Sequence, residues 1–282
     1  MLAVVVSVVG AVLGNVLSKG AERKFGWDVP RESPTDPPTG EWVLVDSVAP
    51  LQTEEEGFSW LFPEPLKLDE EQLAQANRFA RSDPDALAQW WRRLGGVDPG
   101  NTHAKIALRG NAVKPVRIMD MRALNECRSP LTGALALSPP AGLESAVKVG
   151  FDLDQPQPHA RTVDEDGRWG GPYFSDQTIT LEREETLVLH IVGAVKARYC
   201  EFRLEVRLLM NGQEKVQVID DNGVPFKVSS FVSGSNPNAG ENLDVYRELY
   251  VGGIASPPHG AWVKADPETW KFPSSEDWSR TP

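Results

Sequence analysis

Carboxylates are the residues of this chain whose type and spacing come nearest to a reactive or metal-binding site. Asp152 and Asp154 alternate along a predicted strand, and the acidic loop 164–167 (Asp-Glu-Asp-Gly) follows it. Clustered carboxylate oxygens are the ligands that calcium prefers. The candidate metal ligands are Asp152, Asp154, Asp164 and Asp166.

Two other interpretations compete with a calcium site. The loop departs from the EF-hand template, because with Gly167 at the sixth position the first and twelfth are Thr162 and Tyr173, where acids are required. Solvated turn acids are therefore the favoured interpretation. The alternative is an enzyme, and glycoside hydrolysis would need two carboxylates at a fixed separation. Its site would comprise Asp152, Asp154, Asp164 and His159.

The remaining reactive residue types show no catalytic pattern. His103, His159, His190 and His259 lie far apart, and His190 falls in an apolar segment where a hydrogen-bonded core or edge residue is favoured over a general base. The sequence contains no nucleophile elbow, zinc-binding helix motif, phosphate-binding loop, dinucleotide fingerprint or Cys-x-x-Cys pair. We therefore predict no catalytic residue and no cofactor.

Alternation with a period of two predicts the strands that would position the carboxylates. In 200–210 the apolar residues lie on one face, and glutamates and arginines alternate on the other. Asn211-Gly212 predicts a type I′ turn into 214–219, because both central residues of that turn need positive φ. Together with 187–195 and 224–232, these segments predict a four-stranded antiparallel meander.

Further short strands, each bounded by Gly, Pro or Asn, extend this pattern upstream. Many short strands separated by turn signals favour two packed antiparallel sheets over a βαβ fold. We therefore predict a mainly β protein with an antiparallel two-sheet sandwich, immunoglobulin-like or jelly-roll, over 97–233. The upstream strands are predicted at 104–109, 113–124, 133–137, 145–153 and 177–181.

A helical hairpin is predicted before the sandwich, over 64–96. Asp83-Pro84 is a helix start signal, with Asp as N-cap and Pro at the first helical position. Leu87, Trp90 and Trp91 then fall on one helical face, which favours core packing over sugar or base stacking.

Proline-rich segments flank the folded regions. Residues 27–63 form a predicted linker, with a semi-rigid proline-rich stalk followed by an aromatic segment. The tail 234–282 is expected to be irregular. Trp262, Trp270 and Trp278 recur every eight residues there, so they are candidate binding residues for a docking peptide; pinning of the tail onto the sandwich is the favoured alternative.

A transmembrane helix with a basic flank is predicted over 1–26. The run 2–18 carries no charge and a cationic cluster follows it, which places the amino terminus outside and the bulk of the chain in the cytoplasm. A cleaved signal peptide and a buried core helix are the alternatives. A Gly pair four residues apart predicts a weak homodimer. The anchor residues are Leu2, Val9, Gly10, Gly14, Leu17, Lys19, Arg23 and Lys24.

Composition and cysteine usage limit the classes of partner and the cellular compartment that can be expected. The formal net charge of −11 opposes binding to nucleic acid, because the field of the protein repels phosphates. Two cysteines, Cys127 and Cys200, are too few for a disulfide framework, so free thiols are favoured. A bridge between them would instead argue for export.

Five short segments carry a resemblance to a known group. They are 108–111 (LRGN), 130–133 (PLTG), 151–154 (FDLD), 199–202 (YCEF) and 220–226 (DDNGVPF). This set resembles uncharacterised membrane-anchored actinobacterial proteins with a β-sandwich domain. The resemblance covers the sandwich only, roughly half of the chain, and implies no activity.

The function predicted from these features is a single-pass membrane protein whose cytoplasmic sandwich acts as a non-enzymatic interaction module. Its expected partners are the membrane and another protein. An exported surface module that binds glycan or calcium, and an enzyme with an unrecognised acidic site, are the alternatives.

Overall fold

The computed structural model describes residues 40–51, 59–138, 148–164, 167–175, 177–236, 240–253 and 260–271. Among these residues, none of the helices has the length and apolar character needed to cross a membrane. The predicted anchor over 1–26 lies outside the described residues, so it stays a prediction.

The described residues form sixteen strands and two helices. The first elements are β1 (Val43–Leu51), β2 (Trp60–Phe62), α1 (Glu70–Ser82), α2 (Pro84–Arg93), β3 (Asp98–Pro99), β4 (Asn101–Gly110), β5 (Val116–Arg128), β6 (Ala134–Leu137) and β7 (Lys148–Asp152). They are followed by β8 (Arg161–Val163), β9 (Trp169–Pro172), β10 (Ile179–Leu181), β11 (Thr186–Ala194), β12 (Tyr199–Met210), β13 (Gln213–Ile219), β14 (Phe226–Ser229), β15 (Glu248–Val251) and β16 (Val263–Ala265).

Two six-stranded sheets share one hydrophobic core. Sheet 1 has the order β1-β4-β11-β7-β8-β9, and sheet 2 has the order β10-β5-β12-β14-β3, with β13 also paired to β12. Alternate residues of both sheets are buried in a single cluster, because each strand turns one face inward. The cluster includes Ile106, Met121, Phe151, Ile191 and Phe202. The prediction of a mainly β protein is confirmed.

Strand β12 is the central strand of sheet 2. One of its edges pairs with β5, and the other pairs first with β14 and then with β13. Asn211 and Gly212 have φ of 51° and 75°, so the type I′ turn between β12 and β13 is confirmed. A strand of twelve residues is long enough to hold two successive partners along one edge.

The predicted four-stranded meander is wrong in two respects. Strand β11 belongs to sheet 1, where it pairs with β4 and β7. After β13 the chain leaves the ladder through the excursion loop 220–225, and β14 then returns to β12 instead of pairing with β13. The turn within this loop, closed by the Asp221–Val224 bridge, therefore makes a detour rather than a hairpin.

The expectation of purely antiparallel sheets is also wrong. Among the described strands, β11 pairs with β7, β14 with β3 and β15 with β6 in parallel. A parallel pair needs a long connection between its strands, and each of these pairs joins segments separated by several other elements.

A third sheet, with the order β16-β15-β6-β2, was not predicted. Two of its strands, β15 and β16, come from 234–282, which was expected to be irregular, and β6 was predicted as a sandwich strand. All four residues of β6 and all four of β15 are buried. Short strands covered on both faces carry no alternation, so the period-two signal misses them.

The predicted helical hairpin packs on sheet 3. Asp69 and Asp83 cap α1 and α2 by accepting hydrogen bonds from the backbone N–H groups of Gln72 and Ala86. The Trp91 ring lies 5.8 Å from that of Trp60 and 5.0 Å from that of Trp262, measured between centroids. The predicted apolar face of α2 is confirmed. We call the buried group of Trp60, Trp90, Trp91, Tyr250 and Trp262 the aromatic cluster.

Polar contacts around Glu248 hold the chain before α1 against β15. The backbone N–H of Lys67 donates to Glu248 Oε2 at 2.8 Å, and Lys264 Nζ contacts Oε1 at 2.7 Å. Burial alone would raise the pKa of Glu248, but the hydrogen bonds from Lys264 and Lys67 outweigh it and the pKa is lowered. Burial also raises the pKa of Tyr250 to about 12, and its hydroxyl accepts a hydrogen bond from the Leu68 N–H at 3.0 Å.

The first prediction concerns the aromatic cluster. Trp91→Ala is expected to lower the free energy of unfolding by about 3–5 kcal/mol, because it leaves a cavity among fully buried rings. Val188→Thr is the control, since Val188 is 58% exposed and the change keeps a β-branched side chain. Urea denaturation measures both variants. Equal, small effects would contradict the described packing.

The second prediction concerns pH. Because the pKa of Glu248 is lower in the folded state, its stabilising contribution is complete above its ordinary unfolded value, about 4.3, and is lost as pH falls through the folded value. Glu248→Gln is expected to lower the free energy of unfolding at pH 7 by about 1–3 kcal/mol. Denaturation at several pH values should show this difference shrinking below about pH 4. A pH-independent difference would refute the assignment.

Candidate functional site

The candidate site lies on the face of β5, β12 and β13 that points away from the shared core, which we call the outer face. Phe202, Leu204 and Val206 are buried on the inner side of β12. The alternate residues, Glu201 and Arg203 among them, lie on the outer side with partial or full exposure. The alternating charges predicted for this strand therefore line one surface.

Two outward cross-strand pairs of β5 and β12 are complementary in charge. Arg122 lies opposite Glu205 in the strand register, and its Nε is 2.6 Å from Glu205 Oε1. Asp120 lies opposite Arg207. Opposite charges at such cross-strand positions stabilise a sheet, so these pairs support the strand register.

One cross-strand pair on the same face breaks this rule. Glu126 lies directly opposite Glu201, one outward position from the pair of Leu124 and Arg203. Glu201 accepts a hydrogen bond from the Tyr199 hydroxyl. Burial raises the pKa of that hydroxyl, and the hydrogen bond to Glu201 raises it further. Two carboxylates at opposing positions disfavour strand pairing, so this pair weakens the β5–β12 ladder locally.

A groove with a volume of about 420 Å³ runs over this pair, and we call it the glutamate groove. Its apolar part comes from Leu124, which is 41% exposed, and from Pro225 of the excursion loop. Arg203 also lines it, with its Nε 3.3 Å from Asp220 Oδ2. The groove thus combines an exposed apolar surface with two carboxylates.

A disulfide joins the two strands that form the floor of the groove. Cys127 and Cys200 are directly opposite in the register with Cα atoms 4.2 Å apart, and they are bonded. The favoured interpretation of free thiols is therefore wrong. Spacing along the chain, 73 residues, gives no sign of the pairing, because only the β5–β12 register brings the two cysteines together.

A second, smaller cleft of about 170 Å³ lies between the ends of β1 and α2, β4 and the excursion loop. Its polar groups contact one another. Arg92 Nη2 is 2.9 Å from Asp98 Oδ1, and the Thr102 hydroxyl donates to Asp98 Oδ2 at 2.6 Å. His103 Nδ1 lies 3.4 Å from His190 Nε2. His190 therefore has a ring partner on the neighbouring strand.

The described candidate metal ligands form hydrogen bonds with neighbouring protein groups. Asp154 Oδ2 accepts from the Lys196 N–H at 2.6 Å, and Asp164 Oδ1 accepts from the Arg168 N–H at 2.8 Å. Asp152 Oδ2 lies 3.4 Å from Gln155 Nε2. Within the described part of the chain, no group of three or more His, Cys, Asp or Glu residues could hold a metal ion. Asp166 lies outside it, so the calcium site stays a prediction.

The other predicted site residues lie apart from the groove. His159 Nδ1 is 3.1 Å from Asp120 Oδ2, so its described charged partner is not one of the three aspartates of the hypothetical enzyme site. Trp262 is 1% exposed within the aromatic cluster. Trp270 packs against the opposite side of sheet 3, and Trp278 lies outside the described residues. The two described tryptophans pack on sheet 3, so both the docking peptide and the pinning of the tail onto the sandwich stay predictions.

Sequence reasoning did not find the groove. Glu201 was predicted on the exposed face of a strand, but neither Leu124 nor Glu126 was predicted as a site residue. The alternation within 116–128 is a signal that these residues face outward. Their position opposite β12 follows only from the strand register.

The sequence was compared with known proteins. No protein-family model matches it, and no curated protein matches it significantly.

The third prediction tests the acidic loops. Asp154→Ala is expected to lower the free energy of unfolding by about 1–2 kcal/mol, because the Lys196 N–H loses a charged acceptor. A chelator should leave the melting temperature of both proteins unchanged. If the chelator lowers the melting temperature of the unaltered protein alone, Asp154 belongs to a metal site, since a bound ion stabilises only the folded form.

Proposed function

We propose that this protein is an exported, membrane-tethered binding module without catalytic activity. In this proposal sheets 1 and 2 form a two-layer sandwich, and its outer face meets a partner protein. Each six-stranded sheet contains one parallel pair, so this sandwich departs from the purely antiparallel pattern predicted from the sequence.

The observation that carries the proposal is the Cys127–Cys200 disulfide. Disulfides persist in oxidising compartments and are rare in the cytosol, where thiols are kept reduced. The basic cluster of Lys19, Arg23 and Lys24 favours the cytoplasmic module, which is the second candidate. Large domains are translocated largely regardless of charge, so the disulfide is the better guide.

Binding is favoured over catalysis by the composition of the outer face. Val216 and Val218 of β13 are 53% and 48% exposed, and Leu124 lies on the same face. Exposed apolar residues framed by charged ones are typical of interaction surfaces. The glutamate groove lies on this face, which gives a partner a concave point of attachment.

The fourth prediction locates the domain. When intact cells that make the full chain are treated with an external protease, the domain should be digested. Cys127 and Cys200 should react with maleimide only after reduction and denaturation. Inverted vesicles are the control, because a domain on the cytoplasmic side would be digested in them and not in intact cells. A domain that survives in intact cells and carries reactive thiols would establish the cytoplasmic module instead.

A further inference from the structure

The like-charged pair of Glu126 and Glu201 is a local conflict within the β5–β12 ladder. Two pairs further along the same face, Arg122–Glu205 and Asp120–Arg207, are of opposite charge. Placing two glutamates opposite each other weakens the strand pairing. Proteins accept such conflicts mainly at functional sites, where a ligand compensates for them.

The groove around this pair carries an excess of negative charge. Arg203, the cation among the described residues that line it, is paired with Asp220 at 3.3 Å. Arg128 stands over the ring of Tyr199, with its guanidinium carbon 4.6 Å from the ring centre. Arg128 also interacts with the Tyr199 hydroxyl, which donates to Glu201, whereas the side chain of Glu126 is exposed. A positively charged side chain from another molecule is the natural complement.

The spacing of the apolar and acidic parts fits an extended chain. Leu124 and Glu126 are successive outward residues of β5, so they are separated by about 7 Å along the strand. Alternate side chains of an extended peptide have the same separation. A segment that places a basic residue two positions from an apolar one therefore matches the glutamates and Leu124 at the same time.

We propose that the glutamate groove binds an extended segment of a partner protein in which a lysine or arginine lies two positions from an apolar residue. The basic side chain contacts Glu126 and Glu201, and the apolar side chain packs on Leu124 and Pro225. This inference rests on the proposed binding function, for which it supplies the chemistry of the partner.

The test measures the fluorescence anisotropy of labelled peptides with the full chain in a non-ionic detergent at low salt. The probe is a decapeptide with the repeat Lys-Ser-Val-Ser, in which each lysine lies two positions from a valine, and the matched peptides replace lysine with glutamate or valine with serine. The lysine–valine peptide should bind, and both replacements should weaken binding about tenfold or more. Equal affinity of the lysine–valine and glutamate–valine peptides would overturn the proposal.

Variants assign the binding to the groove. The double change Glu126→Gln and Glu201→Gln should weaken peptide binding about tenfold. The control Glu70→Gln with Glu71→Gln on α1 changes the net charge equally and should leave binding unaltered. Glu126→Gln alone should weaken binding and also raise the melting temperature, because it removes the like-charge repulsion. A residue with a merely structural role would lower the melting temperature instead.

The outcomes separate this inference from the proposed function. If Val216→Ser with Val218→Ser weakens peptide binding and the glutamate variants do not, the outer face binds elsewhere: the inference fails and the binding function stands. If the domain proves cytoplasmic while the glutamate variants lose binding, the inference stands and the exported location fails. A glutamate double variant that binds like the control refutes the groove assignment.

Discussion

The pairing of β5 with β12 is the constraint on which the rest of this structure depends. It is an eleven-residue antiparallel ladder that sets both faces of sheet 2 at once. On the inner side it fixes Leu204, Val206 and Leu208 within the shared core. A slip of one residue would move these side chains to solvent and the charged ones to the core, so hydrophobic burial enforces a single register. The outer face is a consequence of that register.

Sheet 3 depends on a different kind of interaction. Its strands are short and come from three distant parts of the chain, so backbone pairing alone would hold them weakly. The aromatic cluster supplies what the strands lack, because Trp60, Trp91 and Trp262 bury large surfaces between sheet 3 and the helical hairpin. On the other side, Leu135, Tyr246 and Leu249 form a second apolar layer that meets the start of β12 at Tyr199.

Local signals were predictable from the sequence and long-range pairings were not. The alternation of β12, its Asn211-Gly212 turn and the face of α2 follow from neighbouring residues, and the structure has all three. Sheet 3 joins β6 to β15 across more than a hundred residues, and no periodicity encodes that pairing. The glutamate groove was missed for the same reason: Glu126 and Glu201 meet only through the β5–β12 register.

The position of the disulfide gains a physical meaning from the groove. Cys127 and Cys200 are the next cross-strand pair after Glu126 and Glu201. The like charges oppose the pairing of β5 with β12 near the end of their ladder. A covalent link beside them removes the freedom of the strands to separate there. The protein can therefore keep these two outward carboxylates in register without loss of the underlying sheet, as a preformed site for a basic partner requires.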